Sequence, residues 1–260
     1  MLKFREYGES GPLVIPLHGG PGAPGYLAPL AESLSDSFRV LEPFQRPSGD
    51  VPLTVAVHVE DLHELVADLR PSLVGHSWGA MLALAYAAAH PDSAGPIVLI
   101  GCGTFDTESR RRLKELLHAR TSVEIAALEA RIADPDELLR AKGRVWMQAS
   151  SYDIDPAADD FPEVDARANQ ETWDDMLKLQ REGIYPAAFR AIRSPVLMLH
   201  GADDPHPGRM IFESLRQYIP QIEYREWPKC GHYPWLERHA KYEFLKTLRG
   251  WLTASALRSR

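Results

Sequence analysis

Three residues of this chain have the types, order and settings that acyl transfer requires. They are Ser77 between two glycines in "VGHSWGA", an aspartate in "HGADDPHPG", and His232 in "KCGHYPWLE". A serine hydroxyl is a weak nucleophile at neutral pH, so it needs a base to take its proton and an acid to orient that base. "SLVGHS" reads as a strand and "AMLALAYAAAH" as a helix, so Ser77 sits on a strand-to-helix elbow, and on such elbows the partners follow in the order serine, acid, histidine. Asp204, three residues past Gly201, is the preferred acid, with Asp203 as the neighbouring alternative in a loop role. His76, His200 and His206 are assigned to packing, loop or supporting positions.

The same reaction develops an oxyanion, which needs fixed donors in a dry site. The residue after the nucleophile, Trp78, supplies one backbone N–H. The second is expected from the glycine-rich loop "LHGGPGAPG", with Gly20 as the donor.

These loops need elements to hold them. "LKFREY" alternates at period two, and "LVIPLHG", "FRVLEPF" and "PIVLIG" are compact apolar runs, so all four read as strands. Val55, Val59, Leu62, Val66 and Leu69 recur at steps of three and four, the spacing of one helix face. From Thr104 to Arg193 helical signals dominate; Asp134, Pro135 and Glu137 supply an N-cap, a first-turn proline and a capping-box partner. Strand signals resume at "SPVLMLHG", followed by a helix over "MIFESLRQYI", a strand over "IEYREW" and a helix through "AKYEFLKTLRGWL". Alternating strands and helices predict an α/β fold with a mostly parallel sheet flanked by helices. Residues 1–103 and 193–260 form the expected core, and residues 104–192 a helical cap, or lid, inserted into it.

Composition narrows the function classes. The 260 residues carry a formal net charge of -7, no basic footprint for nucleic acid. The run "AMLALAYAAA" is about half of a membrane span. "MLKFREYGES" lacks the apolar core of a signal peptide, and two cysteines, Cys102 and Cys230, make no disulfide framework, so a cytoplasmic setting is expected. Neither zinc-ligand spacing nor a phosphate loop is present, so no metal and no cofactor are expected.

The motifs "HGGPG", "GHSWG", "GADD" and "CGHYPWLE" resemble the α/β-hydrolase family over essentially the whole chain. Within it, "HGGPG" joined to "SWGAMLALAYAAAHP" is similar to the proline iminopeptidases, serine exopeptidases that remove an N-terminal proline. His76 stands where those enzymes usually have glycine, and "EPFQRPSGD" departs from their Asp-Gln-Arg-Gly segment. The resemblance implies a serine hydrolase that cleaves a small ester or amide, or a short peptide, through an acyl-enzyme. A carboxylesterase or carbon–carbon bond hydrolase with the same residues is the alternative, and a non-catalytic ligand-binding protein on the same fold is the second.

In the cap, Trp146, Tyr152 and Trp173 are the expected substrate-binding residues. Between Asp153 and Asp175 the chain carries nine carboxylates (Asp153, Asp155, Asp159, Asp160, Glu163, Asp165, Glu171, Asp174 and Asp175) against one cation, Arg167. Two readings stand: a site for a substrate amine, or a solvated acidic face.

Overall fold

Apolar runs in the chain become seven strands, and a computed structural model describes them over residues 2–66, 69–154 and 163–258. They are β1 (Phe4–Tyr7), β2 (Leu13–Leu17), β3 (Arg39–Pro43), β4 (Ser72–His76), β5 (Ile97–Ile100), β6 (Val196–Gly201) and β7 (Ile222–Trp227). They form one sheet in the order β1-β3-β2-β4-β5-β6-β7. β1 pairs antiparallel with β3, Phe4 opposite Pro43, and every other pair is parallel. The fold class expected from the alternation is the one observed.

Successive strand residues point to opposite faces, and this splits the core in two. Ile15, Leu17, Leu73, Ile97, Leu99 and Met198 face one way, against α2 (Val55–Val66), α3 (Trp78–Ala89) and α7 (Gly208–Leu215). Val14, Val74, Val98, Ile100, Leu197 and Leu199 face the other, against α1 (Ala28–Leu34) and α8 (Lys241–Arg258). The residues of α3 from Trp78 to Ala87 are all buried. Its alanines let the helix lie close on the strands, where larger side chains would hold it off.

α1 was not legible in the sequence. It spans seven residues, and its N-cap, Leu27, makes no side-chain capping bond, so it has neither the length nor the cap that marks a helix start.

Between β5 and β6 the chain builds α4 (Thr107–Glu129), α5 (Pro135–Ala149), α6 (Ala166–Arg181) and a 3-10 turn over Ala187–Ala191. Among the described residues this segment adds no strand to the sheet; Ile154 makes only an isolated bridge with Glu237. Each helix starts on an aspartate whose side chain accepts a backbone N–H: Asp106 from Ser109, Asp134 from Glu137 and Asp165 from Ala168. Three carboxylates then dock α6 onto the chain ahead of and at the start of α2. Asp165 accepts from Ser48 N–H, Glu171 from Leu53 N–H and Asp175 from Val55 N–H, at 2.7–2.8 Å.

Candidate active site

Ser77 joins β4 to α3 at φ 54° and ψ -115°, a left-handed conformation that costs a non-glycine residue about 1–3 kcal/mol. The surroundings enforce it. Ser77 N–H donates to Ile100 O at 2.8 Å, a Cβ on Gly75 would strike the backbone of Gly79 and Ala80, and one on Gly79 would strike the Leu17 carbonyl. The serine side chain opens on a cavity of about 610 Å³ whose wall also includes Gly20, Tyr26, His76, His206 and His232.

His232 N–H donates to Ser150 O at 2.8 Å, which fixes the loop ahead of the ring. The ring Nδ1 lies 2.6 Å from Asp204 Oδ2, with both residues buried. An ionised carboxylate only accepts, so Nδ1 carries the hydrogen and Nε2 of the neutral ring is left as the basic atom. Burial lowers the His232 pKa below its ordinary value, against the opposing pull of Asp204. Burial works to raise Asp204, but the facing rings of His232, His206 and His200 outweigh it and hold the carboxyl well below its usual range. Asp203 points elsewhere: its Oδ2 accepts from Cys230 N–H at 3.2 Å.

Asp204 has a further partner that sequence reading placed only in a supporting role. Its Oδ1 accepts from His206 N–H at 2.8 Å and from His206 Nδ1 at 2.9 Å. Asp204, His206 and His232 offer three ligand atoms within 4.8 Å of one another. Both carboxylate oxygens are engaged by N–H donors, Oδ1 by His206 and Oδ2 by His232.

A chain of hydrogen bonds runs from the glycine loop to His232. Gly19 N–H donates to Tyr26 Oη at 2.7 Å, Tyr26 Oη lies 2.6 Å from His76 Nδ1, and His76 Nε2 lies 3.0 Å from His232 O. A carbonyl only accepts, so His76 carries its hydrogen on Nε2, and its Nδ1 accepts from the tyrosine hydroxyl. Burial holds His76 neutral, well below its ordinary pKa.

Gln45 ties the glycine loop to the elbow. Its Nε2 donates to His18 O at 3.0 Å, its own N–H donates to His18 Nε2 at 3.2 Å, and its Oε1 accepts from Trp78 Nε1 at 2.8 Å. Neither Gln45, Tyr26 nor His76 was singled out as a site residue, because each acts through partners far away in sequence. Among the described residues no hydrogen bond takes up the N–H of Gly20 or of Trp78.

The three residues expected to bind substrate divide. Trp146, 37% exposed, and Trp173 line the cavity, and Trp173 packs edge-on against Trp78 with ring centroids 5.7 Å apart. Tyr152 does not line it: Glu237 holds its backbone N–H, and its half-exposed ring lies against His239. None of the described carboxylates of the acidic stretch is part of the cavity wall. Asp165, Glu171 and Asp175 accept backbone N–H groups, Asp153 pairs with Arg238, and Asp174 accepts from Gln170. Asp155, Asp159 and Asp160 lie outside the described residues.

No helix among the described residues is long and apolar enough to cross a membrane. Residues 15–243 match the family model described as "Alpha/beta hydrolase family". The chain is 25% identical over 280 residues to a proline iminopeptidase of Lactobacillus helveticus, covering 95% of this chain and 91% of that one. It is 27% identical over 248 residues to a 2-(acetamidomethylene)succinate hydrolase of Mesorhizobium japonicum, with 89% and 85% covered. Among solved structures, an esterase from Exiguobacterium antarcticum superposes with a TM-score of 0.69 at 16% identity, over 97% of this chain and 95% of that one.

Proposed function

The chain belongs to the alpha/beta hydrolase family, and on that premise we propose that it is a serine hydrolase that cleaves a small carboxylic ester or amide through an acyl-enzyme. The observation that carries this reading is the pairing of a conformationally forced Ser77 at a cavity with a His232 whose Nδ1–H is engaged by buried Asp204 at 2.6 Å. Ser77 attacks the carbonyl carbon while His232 Nε2 takes the hydroxyl proton and returns it to the leaving group. Asp204 holds the ring in that tautomer and supports the imidazolium as it forms. The amides of Gly20 and Trp78 receive the oxyanion, and water admitted to the cavity then releases the acyl group by the same proton route.

Nucleophile, base, acid and oxyanion donors are all supplied by the chain, so the reaction as written needs no cofactor. Residues 104–192 act as the cap over the site, and Trp146 and Trp173 give the acyl group an apolar wall. A cytoplasmic setting completes the proposal, consistent with two free cysteines, both buried.

Of the ester and amide readings, the described wall favours a substrate without a free amine, since an ammonium group needs a carboxylate partner and the wall presents none among the described residues. The test combines covalent labelling with turnover. A fluorophosphonate probe is expected to label Ser77 and to fail on Ser77→Ala, and p-nitrophenyl esters are expected to turn over at least about 10⁴-fold faster with the native chain than with that variant. Cleavage of prolyl-arylamide in preference to its N-acetylated form and to all esters would move the reading to an aminopeptidase. Absence of labelling and of turnover would overturn it.

A further inference from the structure

Three helices of the cap turn one face each to the cavity, and those faces are basic. On α4, Arg110, Leu113, Lys114 and Leu117 follow the three-and-four spacing of a single face; α5 contributes Arg140 and α6 contributes Arg181. Among the described residues the wall holds these four cations and no aspartate or glutamate, in a chain whose net charge is -7.

Three other cations on the same helices are paired with carboxylates. Arg111 bonds Glu108 and Glu115, Lys142 bonds Glu129, and Arg167 bonds Glu171. Arg110, Lys114 and Arg181 make no hydrogen bond or ion pair with a carboxylate among the described residues. Arg110 and Arg181 are also mutually repulsive. Burial lowers the Arg110 pKa from its ordinary value, and Arg181 adds to the lowering, with Asp106 in opposition. Like charges gathered around an apolar cavity are unfavourable until an anion joins them.

Resting on the serine-hydrolase reading, we propose that the substrate carries a carboxylate besides the reacting carbonyl, and that Arg110 and Arg181 bind it, with Lys114 one turn further along α4. Guanidinium forks match a carboxylate in shape, and desolvation in the cavity strengthens the bond relative to the surface.

The test uses p-nitrophenyl hemisuccinate, hemiglutarate and hemiadipate, each paired with the neutral acyl ester of equal length, and reads the ratio of kcat/KM within each pair. At one chain length or more the charged ester is expected to be preferred by about tenfold or better. That ratio is expected to fall by about tenfold in the double variant Arg110→Gln/Arg181→Gln, to be partly kept in Arg110→Lys, and to be unchanged in Arg111→Gln on the outer face. A ratio near unity at every length, or one that survives the double variant, would overturn the proposal while leaving the hydrolase standing. Calorimetric binding of adipate to the native chain separates the two ideas further. If no ester is cleaved but adipate binds and the double variant loses it, the anion site stands and the serine-hydrolase reading falls; if neither is seen, both fall.

Discussion

His206 lies flat on His232, with ring centroids 4.3 Å apart and planes within 11° of parallel, while its Nδ1 engages the opposite oxygen of the same Asp204 carboxylate. The proposed base therefore shares its carboxylate partner with a second imidazole. Burial is the largest influence lowering the His232 pKa, and His206 acts in the same direction. Replacing His206 by Phe keeps a ring in the stack and removes its nitrogens. His232 is then expected to bind its proton more readily, and the acid limb of kcat/KM to move to higher pH. An unmoved limb in a folded variant would show that the stack is only packing.

Asp203 and Asp204 differ in what they touch, so their amides are expected to differ in effect. Asp204→Asn removes the acceptor that fixes the His232 tautomer, and kcat on an aryl ester is expected to drop by about 10⁴-fold. Asp203→Asn disturbs only the bond to Cys230 N–H and is expected to cost less than about tenfold. The reverse ranking would reassign the acid.

Glu237 is fully buried and accepts three backbone N–H groups, from Tyr152, Asp153 and Gly231, at 2.7–2.8 Å. A glutamine there offers one oxygen where two are used and turns an amide group toward donors. Glu237→Gln is expected to destabilise the fold by about 2–4 kcal/mol, read as a lower urea midpoint with an unchanged slope. A midpoint equal to that of the native chain would contradict the role.

The elbow was readable because its constraint is local: two glycines flank Ser77, and the strand and helix on either side carry their own periodicities. Asp204 is preferred over Asp203 on spacing; Asp204 bonds His232 Nδ1, whereas Asp203 accepts from Cys230 N–H. Gln45, His76 and His206 could not be ranked in the same way. A glutamine that bridges His18 and Trp78 leaves no periodic trace, since its partners lie 27 and 33 positions away. The acidic stretch left two readings open for a related reason. A carboxylate aimed at a backbone N–H and one aimed at a ligand are the same letter in sequence, and here Asp165, Glu171 and Asp175 are the former.

Stability is expected to fall in mild acid. His18 and His58 are buried, and burial pushes each from 6.5 down to about 4. The unfolded chain takes up these protons near pH 6.5, so between there and about pH 4 it holds more protons than the native state. The contribution is whole above pH 6.5 and is lost as pH falls toward 4, by on the order of 3 kcal/mol for each ring. Urea titrations at pH 7, 5.5 and 4.5 measure the loss. His58→Gln, which can keep a bond to Thr172, is expected to make it shallower, and an identical pH slope would exclude His58 as a source.

The amide of His232 on the Ser150 carbonyl, with Glu237 clasping 152, 153 and 231, has a bearing on recombination between relatives. Cap segments look like interchangeable cassettes, bounded by the ends of two strands. In this chain the backbone of the proposed cap holds the loop that carries the proposed base, so a foreign insert grafted at residues 104 and 192 would bring its own seat for His232. Chimaeras that retain native residues 150–153 are expected to keep turnover on generic esters, and those that exchange them to lose it even when the donor cap folds.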